Sequence, residues 1–397
     1  MTADTRPIYL DNHATTRCDP RVVEAMMPFF LDDYGNAGSV HHQFGHRAKD
    51  AVEDARRRVA HAIGASPREI IFTSGATESN NLALHGAAAR RSGKGRHIIS
   101  VQTEHSSVLG PLRELGQRGF EITLLPVRPA PRPDAGRLDP DALARAIRPD
   151  TILVSVMLAN NEIGVIQPLA ELSAICRQRG VVLHTDATQA LGKIPVDVDA
   201  LGVDLLSGSA HKIYGPKGVG LLYVRGGANP RRLEPMIHGG GQENHLRSGT
   251  LNVPGIVGFA AALDLCLAEM AEEADRIGRL RQRLFDRLNR LPDVALNGPS
   301  LDLPEMRLPG NLNLSFSRVD GETLMLLVPQ VAVSSGAACS STEPDPSHVL
   351  QALGLGAQAV RSSIRFGLGR FNTADEIDRA ADLLAAAIER LRGVADA

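Results

Sequence analysis

The sequence predicts an α/β fold, a mostly parallel sheet covered by helices and followed by a smaller α+β domain. Three observations carry this expectation. Short apolar runs alternate with helical patterns over the first two-thirds of the 397 residues, as in strands joined by crossover helices. The runs are continuous, as befits strands buried on both faces. From about Pro254 the alternation gives way to a long helical stretch, so a second unit begins there. Domains commonly hold roughly 100–200 residues, so the length also suits two units with an ample core.

Residues 70–72, 98–101, 122–125, 152–157 and 181–184 read as the buried strands. Between them, residues 47–63 place Ala48, Ala51, Val52, Ala55, Val59, Ala62 and Ile63 on one helical face. Residues 109–117 and 169–179 have the same character. Residues 126–140 hold five prolines and read as an irregular surface excursion. A further strand is expected at 219–224. The smaller domain then consists of a helix to about residue 291, apolar runs at 312–316 and 331–333, and a final helix over 373–391.

Composition excludes several function classes. The formal net charge is -2, from 43 Lys+Arg against 45 Asp+Glu, which gives no footing for nucleic acid or an anionic membrane as a partner. Residues 1–16 carry Asp4, Arg6 and Asp11 and no apolar segment, unlike a signal peptide. The best apolar stretch, 256–270, is interrupted by Asp264 and is too short to span a bilayer. Cys18, Cys176, Cys266 and Cys339 are widely separated, with no CxxC pair. A disulfide framework or zinc site is not expected, and a reducing cytoplasm is.

Several polar groups cluster where the strands end. Lys212 lies in Ser209-Ala210-His211-Lys212-Ile213-Tyr214-Gly215-Pro216. A lysine held rigidly in a dry turn can lose its proton and form an imine, although a surface lysine in a hairpin would look alike. Asp186 follows the strand at 181–184. There it can pair with a pyridine nitrogen or simply cap a helix. Gly75-Ala76-Thr77 opens a helix after residues 70–72, which suits a phosphate or an ordinary capping box. His105 and Asn161 follow two further strands; His105 suits a ring-stacking proton shuttle or a structural histidine, and Asn161 a hydrogen bond to a substrate or to a cofactor hydroxyl. Cys339 sits among small residues in a loop, as either a nucleophile or a small hydrophobe. Arg365 suits a carboxylate clamp or a structural ion pair. His42 and His46 have helical spacing for a metal but no acidic third ligand nearby, so no metal is expected. Gly239-Gly240-Gly241 lacks a following Lys-Ser/Thr and reads as a flexible loop.

Together these residues resemble the cysteine desulfurases of the NifS/IscS kind, within the class-V aminotransferase-like enzymes that use pyridoxal 5'-phosphate (PLP). The motifs that carry the resemblance run from Leu10-Asp11-Asn12-His13-Ala14-Thr15-Thr16 through 75–81, Thr103-Glu104-His105, 160–164, 184–189, 209–220, 238–241, 247–250 and 334–339 to 362–370. Asn12-His13 departs from many relatives, and residues 394–397 match no scaffold-docking tail. The resemblance implies the aspartate aminotransferase-like fold of PLP-dependent transferases, with a large PLP-binding domain at 16–253 and a small one formed by 1–15 and 254–397. It implies that Lys212 holds PLP as a Schiff base, Asp186 pairs with the pyridinium, Gln189 bonds the ring hydroxyl and His105 stacks and exchanges protons. Ala76, Thr77, Ser209 and His211 would bind the phosphate, joined by Thr250 from the second subunit of a homodimer. Asn161 and Arg365 would hold the carboxylate of L-cysteine. Cys339 would take the sulfur as a persulfide, in the long-loop manner of group I, and could transiently ligate an iron–sulfur cluster. The acceptor would be an iron–sulfur scaffold or a tRNA-thiolation protein. A selenocysteine lyase or aminotransferase on the same fold, and a catalytically silent sulfur-relay subunit, are the rival readings.

Overall fold

The structure, a computed structural model, describes residues 6–227, 229, 232–335 and 346–395. β1 (Ile8–Tyr9) precedes a seven-stranded sheet made of β2 (Ile70–Thr73), β3 (His97–Val101), β4 (Glu121–Leu125), β5 (Thr151–Ser155), β6 (Val182–Asp186), β7 (Leu205–Ser209) and β8 (Gly220–Val224). The spatial order is β2-β8-β7-β6-β5-β3-β4. Only β8 runs against the rest, antiparallel to both β7 and β2. Apart from the edge strand β4, the strands are buried on both faces, and successive residues enter different cores. Ile70 and Phe72 face one core while Ile71 faces the other; Leu221 and Tyr223 alternate likewise with Leu222 and Val224. This explains the continuous apolar runs. β3 and β5 are neighbours although β4 lies between them in sequence. The chain therefore changes direction there, the place where open α/β sheets leave a crevice outside their carboxyl ends.

The C-terminal part adds β9 (Val294–Leu296), β10 (Asn311–Phe316), β11 (Val331–Ala332), β12 (Ser334–Ser335) and β13 (Ser363–Gly367). β12, β13, β10 and β9 form an antiparallel sheet in that order, while β11 pairs in parallel with β1. A core of its own lies here, built from Leu312, Leu314, Phe316, Ile364 and Phe366 with Ile8 and Leu10.

One helix, Val253–Leu288, joins the two cores: Phe259 and Leu263 pack in the first, Leu280 and Leu284 in the second. At 36 residues, with a window of mean hydropathy 1.6, it is long and apolar enough to cross a membrane. That exceeds the expectation drawn from 256–270 alone. Its apolar side chains are consumed by the two cores, with 61% of that window buried inside the protein.

Other elements depart from the sequence reading for local reasons. The helix expected at 47–63 spans Gln43–Ala62 and begins early because His42 caps it, Nδ1 accepting the Gly45 N–H at 3.1 Å. His46 Nε2 bonds the Val40 carbonyl at 3.0 Å, so both imidazoles serve local backbone. Residues 126–140 are irregular, and Pro126, Pro129, Pro131, Arg132 and Pro133 are exposed as expected of a surface excursion, but the segment is anchored from inside. Val127 and Ala135 are buried against Val349 and Leu350. Their backbone is satisfied from inside, as where Leu138 N–H donates to Gln167 Oε1 at 2.8 Å. The prolines break the periodicity, and four of the five are exposed.

The segment after Gly239-Gly240-Gly241 is pinned by charge. Glu243 is buried and accepts from Arg56 Nη2 (2.6 Å), Arg56 Nη1 (2.9 Å) and the Phe72 N–H (2.7 Å). Glu243, Asn244 and His245 all have positive φ, an arrangement that costs about 1 kcal/mol or more per non-glycine residue. The ion pair holds this run against β2. Glu243→Ala is expected to destabilise the protein by about 3–5 kcal/mol, because it strands a buried guanidinium. Urea unfolding of the two proteins measures the difference.

Candidate active site

A cavity of about 530 Å³ opens at the carboxyl ends of the strands. Nine of the sequence-predicted groups line it, reaching it from five strand ends. Ala76 and Thr77 begin the helix Ala76–Arg91 after β2, His105 caps the helix Ser106–Gln117 after β3, and Asn161 follows β5. Asp186 ends β6, with Gln189 one turn on; Ser209 ends β7, and His211 and Lys212 follow in a short 3-10 turn, Ala210–Lys212. β7 and β8 must come close together to form this turn. A Cβ on Gly220, which opens β8, would lie 2.7 Å from the Gly208 carbonyl oxygen of β7 and 2.6 Å from the Gly75 Cα after β2, so only glycine permits the approach.

Lys212 Nζ donates to the carbonyls of His13 (2.6 Å) and Ala14 (2.5 Å). Burial, reinforced by the Arg365 charge, pushes its pKa down to about 8, with Asp11 and Asp186 opposing. The amine is therefore far easier to deprotonate than an ordinary lysine, as a nucleophile or base requires. His211, on the same turn, is pushed down to about 4 by burial and by Lys212 and Lys217.

Asp186 Oδ2 accepts from Asn80 Nδ2 at 2.8 Å, and Oδ1 accepts from the Thr188 N–H at 2.9 Å. Asn80 Nδ2 also donates to Ser107 Oγ (2.9 Å), which lies 2.7 Å from His105 Nδ1. The Ser107 N–H points at that same nitrogen at 3.1 Å. His105 Nδ1 is thus the acceptor, and Nε2 carries the proton of the neutral ring. Burial lowers the His105 pKa while Asp186 works against the shift. A chain of polar contacts so connects the carboxylate to the imidazole.

The helix Ala76–Arg91 starts at Gly75 (φ 154°) with no side chain capping it, leaving its first N–H groups to an anion. Thr188 Oγ1 on the cavity wall is buried without a protein partner. An anion cradle, a carboxylate at the end of a central strand, an orphan hydroxyl and a lysine of lowered pKa within one cavity fit a phosphorylated pyridine aldehyde.

The aminotransferase class-V family model matches residues 8–380. The chain belongs to the aminotransferase class-V family. Among its curated relatives is a protein named cysteine desulfurase IscS from Anaeromyxobacter dehalogenans, 54% identical over 97% of this chain and 93% of that protein. A protein of the same name from Methylococcus capsulatus is 52% identical over 98% of this chain and 94% of that protein. A solved NifS-like protein superposes with a TM-score of 0.87 at 39% identity, covering 97% of this chain and 99% of that one.

In this class-V chain three predicted residues stand apart from the cavity wall. Arg365, on β13, donates through Nη2 to Asp11 Oδ1 (2.8 Å) and Ser334 Oγ (2.9 Å). Its Nη1 reaches the Asn161 carbonyl at 3.4 Å, and its buried Nε has no partner. It is therefore paired structurally while touching a residue that lines the cavity. Thr250 is exposed on the segment before the helix Val253–Leu288. Cys339 lies outside the described residues. The groups bracketing its segment do touch the site: Ser334 bonds Arg365, Ser347 Oγ donates to Glu162 Oε2 at 2.5 Å, and His348 Nε2 bonds the Glu104 carbonyl at 2.9 Å.

Sequence reasoning gave no role to Asn80, Ser107, Thr188, Lys193 or Glu104, and none to His13 beyond its motif. Asn80 lies one turn into the Gly75 helix, and that position was its only signal. Glu104, fully buried, accepts the Met157 N–H at 2.7 Å. Burial and the nearby Asp186 carboxylate hold its own carboxyl well above the usual range. Both effects favour the protonated form.

Proposed function

We propose that this cavity binds PLP and L-cysteine, and that the enzyme forms L-alanine while the substrate sulfur passes to Cys339 as a persulfide. The chain is a PLP-dependent cysteine desulfurase. The observation that carries the site assignment is the convergence of Lys212, Asp186, His105 and the Gly75 helix start on one cavity. Bound there, PLP supplies an electron sink for the bond-breaking at the substrate Cα. Asp186 provides the fixed negative charge that such a ring needs at its nitrogen. Ala76, Thr77, Ser209 and His211 hold the phosphate, and Gln189 the ring hydroxyl.

Lys212 Nζ, poised to lose its proton, takes the proton from the substrate Cα. His105, neutral with Nε2 protonated, handles proton delivery on the other side. Asn161 orients the substrate carboxylate. Arg365 joins it by exchanging part of its bonding to Asp11 and Ser334 for the incoming carboxylate. The Cys339 thiolate attacks the substrate sulfur, an S–S bond forms, and the C–S bond breaks with its electron pair staying on carbon. Protonation of that carbon and return of the proton from Lys212 to the Cα yield alanine.

We assign residues 16–253 to a cofactor-binding unit and 1–15 with 254–397 to a small unit carrying Cys339; the two separate apolar cores support this. A homodimer suits the exposed Thr250 and the exposed apolar side chains of Phe30, Leu31 and Tyr34. The persulfide goes to an acceptor protein, an iron–sulfur scaffold or a tRNA-thiolation protein, in a reducing cytoplasm. Cys339 could also ligate a cluster transiently. The rival readings are not favoured: full-length relatives carry the desulfurase name, and a lysine with lowered pKa in an intact cavity suits catalysis better than a silent relay.

Mass spectrometry after incubation with L-cysteine tests the sulfur step. Cys339 should gain the mass of one sulfur atom. No gain on Cys339, with alanine formation intact in Cys339→Ala, would sink the persulfide assignment.

A further inference from the structure

Lys193 belongs to no motif considered above, yet it touches the site from behind. Its Nζ donates to Gln189 Oε1 at 2.8 Å, and its side chain lines a small separate cavity of about 30 Å³ together with His13, Tyr214 and Glu273. His13 Nδ1 lies 3.0 Å from the same Gln189 oxygen. As an ammonium Lys193 has only hydrogens to offer, and the His13 carbonyl can only accept, so the two together fix which end of the Gln189 amide faces each. The carbonyl oxygen turns to Lys193 and His13. The amide nitrogen then turns the other way, donating to the His13 carbonyl at 2.9 Å. Its second hydrogen remains for the active-site cavity, whose wall Gln189 forms.

The same His13 carbonyl accepts Lys212 Nζ at 2.6 Å. Since Gln189 Oε1 must accept from His13, His13 Nδ1 carries the proton and Nε2 holds the lone pair. That agrees with the buried Nε2 having no partner. Lys193, Gln189, His13 and Lys212 thus share one hydrogen-bond network, with Lys193 and the His13 carbonyl at opposite ends of the Gln189 amide. The charged and titratable groups around it are Lys212, Arg365, His13, Cys266 and Glu273. An amine is a donor whether protonated or neutral, so the arrangement does not depend on its charge. Burying it is costly, and a structural side chain would fill so small a cavity more cheaply.

We propose that Lys193 is a positioning residue that locks the Gln189 amide with its NH₂ group toward the cofactor cavity and, through His13, seats Lys212. This rests on the reading of the cavity as a PLP site with Lys212 as its lysine. Lys193→Met removes the donor at nearly constant length. In the PLP-loaded enzyme, the pH at which the visible absorption band titrates should then move upward by about one unit, because a hydrogen-bond donor and a nearby positive charge are both lost. The turnover rate should fall roughly ten- to a hundredfold, the range that misplacement of a reacting group brings, with KM changed by no more than about twofold.

Lys193→Arg, which keeps a donor, should titrate like wild type. Should the methionine variant fail to fold, Lys193→Gln, polar but too short to reach Gln189, should show the same upward shift. Titration identical to wild type in the folded Met or Gln variant, even with a lowered melting temperature, overturns the proposal. A wild-type protein that develops no visible band on adding PLP overturns instead the cavity reading on which it rests.

Discussion

Lys212→Ala is expected to lower alanine formation from L-cysteine by about a thousandfold or more, the combined loss of a covalent anchor and a positioned base. The geometry leaves no substitute. His105 is the nearest rival base, but its Nδ1 is occupied by Ser107 and its Nε2 carries the proton. His211 is held by Thr15 Oγ1 at 3.1 Å. Lys193 is turned to Gln189. Among the described residues only Lys212 combines a cavity position with an amine whose pKa burial has brought down to about 8; Lys217, also on the cavity wall, is exposed. The variant should fold normally, since a buried amine is lost without opening a large apolar void. Circular dichroism checks the fold and a coupled assay the alanine. Retention of activity within about tenfold of wild type would contradict the assignment, because a base lost from its transition state costs more.

Asp186→Asn is expected to reduce turnover by roughly a hundred- to a thousandfold, as expected when a buried electrostatic partner of the reacting system is neutralised. The substitution is isosteric and keeps an oxygen for the Thr188 N–H. It forfeits the negative charge and sets two amide donors against each other at Asn80, 2.8 Å away. A second consequence has a definite sign. The carboxylate favours the protonated forms of both Lys212 and His105, raising their pKa values against the effect of burial. Removing it must lower both, so the acid limb of the pH–rate profile should move to lower pH in the variant. A shift toward higher pH would show that Asp186 acts otherwise.

Much of this was legible in the sequence because it depends on local pattern. Residues 70–72 and 98–101 are strands because continuous β-branched and aliphatic runs bury both faces of a sheet, and the structure extends each by one residue. Lys212 and Asp186 stood out because a strand end is where a parallel sheet exposes chemistry. The proline-rich 126–140 segment is exposed at most of its prolines as its sequence predicts, but Val127 and Ala135 are buried because they meet Val349 and Leu350, some two hundred residues away. The helix at 253–288 outran its apolar stretch because its C-terminal half borrows a second core. Arg365 was left between clamp and ion pair, and it makes the ion pair with Asp11 while touching Asn161. No spacing in the chain announces a contact between residues 354 positions apart.

The sequence by itself determined the α/β alternation, the strand ends that carry polar groups and the chemical types of those groups, because hydrophobic periodicity and side-chain chemistry are properties of short segments. Only the tertiary structure decided which of them share a cavity, and that Asn80 and Ser107 link Asp186 to His105. It alone brought Lys193, Gln189 and His13 together behind Lys212. The reason is physical: a hydrogen bond acts over about 3 Å and a pKa responds to burial and to charges from every neighbouring strand. Both depend on how distant segments pack, and no window along the chain contains that information.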